Sequence, residues 1–155
     1  MERLNVNGFA YDSIVDGPGQ RFTIFTQGCP HACQGCHNQQ TWSLDKNKEY
    51  TEYEIIALIK EESFTKNVTF SGGEPFLQVD FLLSLGTKLK EEGYNIWCYT
   101  GFIYEDILNN EHQKKLLSVI DILVDGPFVK ELKDHSIEWR GSSNQRIIDL
   151  KDVTL

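Results

Sequence analysis

The chain has 155 residues, 40% of them apolar and 12% aromatic, which supports a packed core and excludes a disordered protein. Its 15 basic and 23 acidic side chains leave a formal charge of −8. That charge makes the chain a poor candidate for a nucleic-acid or anionic-membrane surface, because phosphate binding needs a basic patch, and the longest basic cluster is the pair Lys114 and Lys115. One domain over 1–155 is expected. No apolar run reaches the roughly 18 residues of a membrane span, and the amino terminus lacks the apolar core of a signal peptide. The expected location is the cytoplasm, where the four cysteines are thiols or metal ligands.

In chain order, Asp16, Gly17, Pro18 and Gly19 signal a turn. Arg21–Thr26, rich in β-branched and aromatic residues, predicts a strand that runs straight into a cysteine-rich loop. Thr51 with Glu54 forms a capping-box pattern for a helix over Glu52–Glu62, whose apolar face carries Ile55, Ile56 and Ile59. A second strand over 67–70 ends at Ser71, Gly72, Gly73, Glu74 and Pro75. A helix over 79–92 follows, with Phe81, Leu82, Leu85 and Leu89 at helical spacing and Gly93 as its stop. The third strand is Asn95–Tyr99, and a helical stretch covers 103–117. A fourth strand over 119–124 ends at Asp125 and Gly126, and a last short strand is predicted over 146–150. Strands alternating with helices argue for a mainly parallel sheet. The chain is too short for a full eight-unit barrel, so the expected fold is α/β, a partial, open β/α barrel. Its ligands belong at the carboxyl ends of the strands, where the cysteine loop, the segment from Ser71 to Pro75, Thr100 with Gly101 and Asp125 with Gly126 fall.

Cys29, Cys33 and Cys36 put three thiolates within eight residues. Spacing alone leaves two metals open: an iron–sulfur cluster, or zinc with His31 or His37 as fourth ligand. A four-iron cluster normally takes four cysteines, so three leave one iron without a protein ligand. The two glycines at the end of the second strand allow close approach to a ligand, and their carbonyls with Glu74 suit an ammonium group; a plain strand-to-helix turn is the other reading. Thr100 and Asp125 end the third and fourth strands, as cofactor contacts or as ordinary loop formers. Trp139, Arg140 and Arg146 offer interface anchors or carboxylate partners, or else a solvated turn. Cys98 between Trp97 and Tyr99 reads as a buried thiol, and His112 and His135 as solvated side chains.

Cys29, Cys33 and Cys36 after the first predicted strand, with Gly72, Gly73 and Glu74 after the second, resemble the radical S-adenosylmethionine superfamily. The resemblance implies a [4Fe–4S] cluster on the three cysteines, S-adenosylmethionine on its open iron, and Ser71 to Glu74 as the site of the methionine ammonium. Asp16 to Arg21, Phe25, Gly28, His37 and Asn38 narrow the likeness to the glycyl-radical-enzyme activating enzymes. The short length and the segment from Trp139 to Arg146 narrow it to the branch serving the anaerobic ribonucleoside-triphosphate reductase. This implies reductive cleavage of S-adenosylmethionine, with the 5′-deoxyadenosyl radical taking hydrogen from a glycine of the large reductase subunit, and an unidentified low-potential electron donor. Many superfamily members carry an aromatic residue before the last cysteine, where this chain has Gly35; His37 is the substitute expected at the adenine. The alternatives carried forward are a radical enzyme acting on a small molecule, similar to a 7-carboxy-7-deazaguanine synthase, and a non-enzymatic zinc module.

Overall fold

The computed structural model of the chain describes residues 2–31, 43, 47–134 and 136–152. Seven strands form one open sheet: β1 (Arg3–Ser13), β2 (Arg21–Thr26), β3 (Lys48–Thr51), β4 (Asn67–Gly72), β5 (Asn95–Tyr99), β6 (Ile122–Asp125) and β7 (Arg146–Asp149). Their order is β3-β1-β2-β4-β5-β6-β7. The centre, from β2 through β4 and β5 to β6, is parallel. Antiparallel β1 and β3 extend one side and antiparallel β7 the other. The result is the expected partial, open β/α barrel.

The helices cover one face. The capping box at Thr51 is present: the Glu54 N–H donates to the Thr51 hydroxyl at 3.2 Å, and the Thr51 N–H to the Glu54 carboxylate at 2.8 Å. It starts α1 (Glu52–Glu62), which buries Ile55 and Ile59. α2 (Val79–Glu91) buries Phe81, Leu82, Leu85 and Leu89 at the predicted spacing. Each such apolar side chain contributes about 1.5–3 kcal/mol on burial. Their buried residues share one core cluster with Phe22, Ile24, Val68, Phe70, Ile96 and Cys98, alternate residues of β2, β4 and β5.

Three expectations change. β1 and β3 were not foreseen. The helical stretch over 103–117 is broken into α3 (Tyr104–Leu108), α4 (Glu111–Lys114) and a 3₁₀ turn over Lys115–Val119. The break has a local cause: the Asn110 side chain accepts the Gln113 N–H at 3.0 Å and caps a new helix instead of continuing the old one. The fourth strand starts at Ile122, three residues later than predicted, because Leu116, Leu117 and Val119 are buried through that 3₁₀ turn.

The other face of the central strands carries Arg21, Thr23 and Phe25, then Thr69 and Ser71, then Trp97 and Tyr99. Arg21 is buried and fully engaged at the amino ends of the strands. It donates to the Thr69 hydroxyl at 2.8 Å, the Pro18 carbonyl at 3.0 Å, the Val68 carbonyl at 3.0 Å and the Asn95 side chain at 2.6 Å. Its guanidinium lies 5.8 Å from the Trp97 ring centre. Burial pushes its pKa down to about 10, which still leaves a cation at neutral pH. Arg21 thus fastens the 13–19 turn across the open end of the sheet.

Candidate functional site

β2 ends at Thr26, and Gly28, at φ +105°, turns the chain into the cysteine loop. Cys29 is half-buried at the carboxyl end of the sheet. Cys33, Cys36, Gly35 and His37 lie outside the described residues. The start of this loop is bonded to the Gly-Gly-Glu segment. The Glu74 N–H donates to the Gly28 carbonyl at 2.7 Å, and the Thr26 hydroxyl donates to the Ser71 carbonyl at 3.0 Å.

The two glycines serve that contact. A Cβ on Gly72, which sits at φ +129°, would lie 2.3 Å from the Thr26 nitrogen. A Cβ on Gly73 would lie 2.4 Å from the Thr26 oxygen and 2.7 Å from the Gly28 oxygen. Side chains are excluded here because protein backbone already occupies the space.

Glu74 is fully buried. One carboxylate oxygen accepts the Gly101 N–H at 2.7 Å and pairs with His31 Nε2 at 2.7 Å. The other accepts the Thr100 hydroxyl at 2.8 Å and the Phe76 N–H at 3.0 Å. The structure therefore brings Cys29, Ser71, Gly72, Gly73, Glu74 and Thr100 together at the ends of β2, β4 and β5. It also adds His31, which the sequence offered only as a zinc ligand.

Asp125 lies apart from this group. It is buried, accepts the Tyr104 N–H at 2.8 Å and receives Arg146 Nε at 3.0 Å. Arg146 also donates to Glu105 at 2.7 Å. Hydrogen bonds to Asp125 and then Glu105 push its pKa well above the ordinary arginine value. Two residues singled out separately in the sequence thus form one ion pair that ties β6 to β7.

Trp139 and Arg140 take a third position. With Val15, Asp16, Phe25, Ser71, Tyr99 and Gly141 they line a cleft of about 450 Å³ on the inner face of the sheet. Trp139 holds φ +59°, uncommon for a residue with a side chain, and meets Trp97 edge-on with ring centres 5.5 Å apart. Arg140 donates from Nη1 to the Gln145 carbonyl at 3.0 Å. Its Nε is buried without a hydrogen-bond partner among the described residues, as is Thr23 Oγ1. Burial, with Asp16 nearby, pushes the Tyr99 phenol well above its usual range, so it remains a hydrogen-bond donor at physiological pH. Cys98 points the other way, into the helix-covered core, and burial raises its thiol pKa.

Asp16, Tyr99 and the inward set of β2 and β5 were not read as a lined cleft. Their signal was the period-2 alternation of Arg21, Thr23 and Phe25 against Phe22 and Ile24.

The 4Fe-4S single cluster domain family matches residues 15–148. An anaerobic ribonucleoside-triphosphate reductase-activating protein of Vibrio cholerae is 39% identical over 152 residues, spanning 93% of this chain and 97% of that one. The protein of the same description from Escherichia coli K12 is 35% identical over 156 residues, 96% of this chain and 100% of that one. One from Enterobacteria phage T4 is 33% identical over 88% of this chain and 92% of that one. Among solved structures, QueE from Escherichia coli shares the fold, with a TM-score of 0.54 at 20% identity, over 64% of this chain and 53% of that one. No helix among the described residues is long and apolar enough to cross a membrane. With the fold, the cysteine loop and near full-length relatives in agreement, the chain belongs to the family of anaerobic ribonucleoside-triphosphate reductase-activating proteins.

Proposed function

We propose that this chain activates an anaerobic ribonucleoside-triphosphate reductase by creating a radical on a glycine of its large subunit, using a [4Fe–4S] cluster and S-adenosylmethionine. The observation that carries the reading is the union of two motifs. The cysteine loop and the Gly-Gly-Glu segment are hydrogen-bonded to each other through Gly28 and Glu74, at the carboxyl ends of adjacent parallel strands. When bound, the cluster and cofactor supply one-electron reductive cleavage of the sulfonium, the reaction that makes a hydrogen-abstracting radical.

The donor set fits a cluster. Three soft thiolates, Cys29, Cys33 and Cys36, stand in one loop and leave one coordination position for the cofactor. We assign Ser71, Gly72 and Gly73 to the cofactor ammonium through their backbone, with Glu74 fixing their position. Thr100 adjoins that site, His37 is kept for the adenine, and Asp125 with Arg146 shapes the far wall. The chain's own task is to bind and orient the cofactor and to exclude water.

The cleft bounded by Asp16, Tyr99, Trp139 and Arg140 is the seat we assign to the glycine-bearing segment of the reductase. Arg140 Nε, Ser71 and Tyr99 are donors suited to peptide carbonyls. One domain, 1–155, carries the whole activity in the cytoplasm, fed by a low-potential electron donor and with no nucleic acid or membrane involved.

The test is anaerobic reconstitution with iron and sulfide. A chemical reductant, S-adenosylmethionine and the reductase large subunit are then added, and the glycyl radical is read by electron paramagnetic resonance. A radical on the reductase that depends on both cofactor and cysteines is expected. Cofactor cleavage with no radical on the reductase would favour the small-molecule enzyme. Zinc in place of iron and sulfide would defeat the reading.

A further inference from the structure

We propose that His31 is a positioning residue: through Glu74 it pins the chain two residues beyond Cys29 to the ends of β4 and β5, so that Glu74 is a strut and not a direct ligand of the cofactor ammonium. The inference deepens the proposed function and rests on it only in taking Cys29 as a cluster ligand. The Glu74 carboxylate has a limited capacity. Two oxygens offer about four lone-pair directions. All are taken, by His31, Gly101, Thr100 and Phe76, at 2.7 to 3.0 Å. A fully buried carboxylate with four donors has no place left for an ammonium group.

The His31 imidazole has a restricted seat. A Cβ on Gly101 would lie 2.3 Å from the His31 ring, so only glycine lets the ring lie there. Phe102 holds it edge-on, with ring centres 4.6 Å apart. The strut assigns the donor role to His31 Nε2, facing a carboxylate that accepts. His31 therefore joins the cysteine loop to two strand ends from a point two residues beyond Cys29. Its partners come from segments 43 and about 70 residues away in sequence.

The test uses the full chain, reconstituted anaerobically, and reads iron release to a chelator besides activity. His31→Phe keeps a ring against Phe102 but removes the donor. Iron release is expected to accelerate at least tenfold, while thermal unfolding of the helix-covered core moves little. His31→Gln restores an N–H donor and is expected to return the rate to within threefold of the natural protein. Glu74→Gln combined with His31→Phe is expected to be no worse than the more severe single variant, as for two ends of one contact. Unchanged iron release in His31→Phe overturns the proposal, and so does failure of His31→Gln to rescue, which would make the imidazole itself the required group. Should the variants fail to fold, nitrogen–proton NMR of the natural holoprotein decides: a His31 ring protonated on Nδ1 alone refutes the strut. A natural protein that takes up no iron would sink the functional reading instead, and the NMR measurement would still decide the role of His31.

Discussion

Gly73→Ala separates two accounts of the Gly-Gly-Glu segment. If the glycines only admit a ligand, a methyl group should weaken cofactor binding and spare everything else. The structure requires more. The new Cβ would stand 2.4 Å from the Thr26 oxygen and 2.7 Å from the Gly28 oxygen, where contacts below 3.0 Å are not tolerated. Both obstacles are backbone, so no side chain can swing aside. The end of β2 must retreat by about 0.6 Å, and overpacking of this kind costs about 1–3 kcal/mol. The same movement weakens the Glu74 N–H to Gly28 carbonyl bond at 2.7 Å, adding about 0.5–1.5 kcal/mol. The total, about 1.5–4.5 kcal/mol, is a large part of the 5–15 kcal/mol typical of a domain. Because the strain falls at the start of the cysteine loop, iron retention should fall with stability. The assay is urea unfolding together with iron per chain after anaerobic reconstitution. Gly8→Ala is the control, since a Cβ there meets nothing within 4 Å. Natural stability and iron content in Gly73→Ala, with only cofactor affinity reduced, would refute the reasoning.

Cys98→Ala should keep iron content within about two- to threefold of the natural protein and cost about 1 kcal/mol in urea unfolding, because the thiol is packed in the helix-covered core, away from the cysteine loop. Arg146→Ala should lower stability by about 1–3 kcal/mol, since it leaves buried Asp125 without its cation, discounted for the half-exposed arginine; thermal unfolding checks it. Arg140→Ala should leave stability within about 1 kcal/mol and cofactor cleavage without reductase intact, while the glycyl-radical signal on the reductase falls at least tenfold. Burial raises the Asp121 carboxyl, but Lys90 at 2.6 Å, the Ile96 N–H at 2.8 Å and Lys151 together hold it below its ordinary 3.8. Its folded pKa is thus the lower one, so its stabilisation is complete above the ordinary value and disappears as pH falls through the folded value. Urea midpoints measured from about pH 6 to pH 2 should therefore fall more steeply for the natural protein than for Asp121→Asn.

What the sequence made legible is what short-range physics decides. α1 and α2 follow from a capping box and from apolar residues every three or four positions, and both were placed to within a residue. β5 was readable as a short β-branched and aromatic run. β1 was missed although Leu4 and Val6 alternate with polar neighbours, because its pattern fades from Gly8 onward, where no residue is fully buried. β3 has four residues and only Thr51 buried, too little for a pattern. At the site, residue types pointed to the right places but long-range contacts assigned the roles. Glu74 was read for its charge, whereas Thr100, Gly101 and His31 saturate it from 26, 27 and 43 residues away. Asp125 and Arg146 were separate candidates until the antiparallel register of β6 and β7 made them neighbours.

The two faces of the central strands complete the account. Phe22, Ile24, Val68, Phe70, Ile96 and Cys98 close one face against helices. A closed β/α barrel would fill the opposite face with branched apolar side chains. Here that face carries Arg21, Thr23, Thr69, Ser71, Trp97 and Tyr99, and Thr23 Oγ1 and Arg140 Nε near it have no hydrogen-bond partner among the described residues. Each such atom costs about 1–3 kcal/mol when buried unpaired. The seat proposed for the reductase segment lies on this face, lined by donors that suit carbonyl oxygens. The sheet does not close on itself: β3 and β7 are its two edges. For a substrate that is a segment of another protein, that openness is the requirement that a closed barrel could not meet.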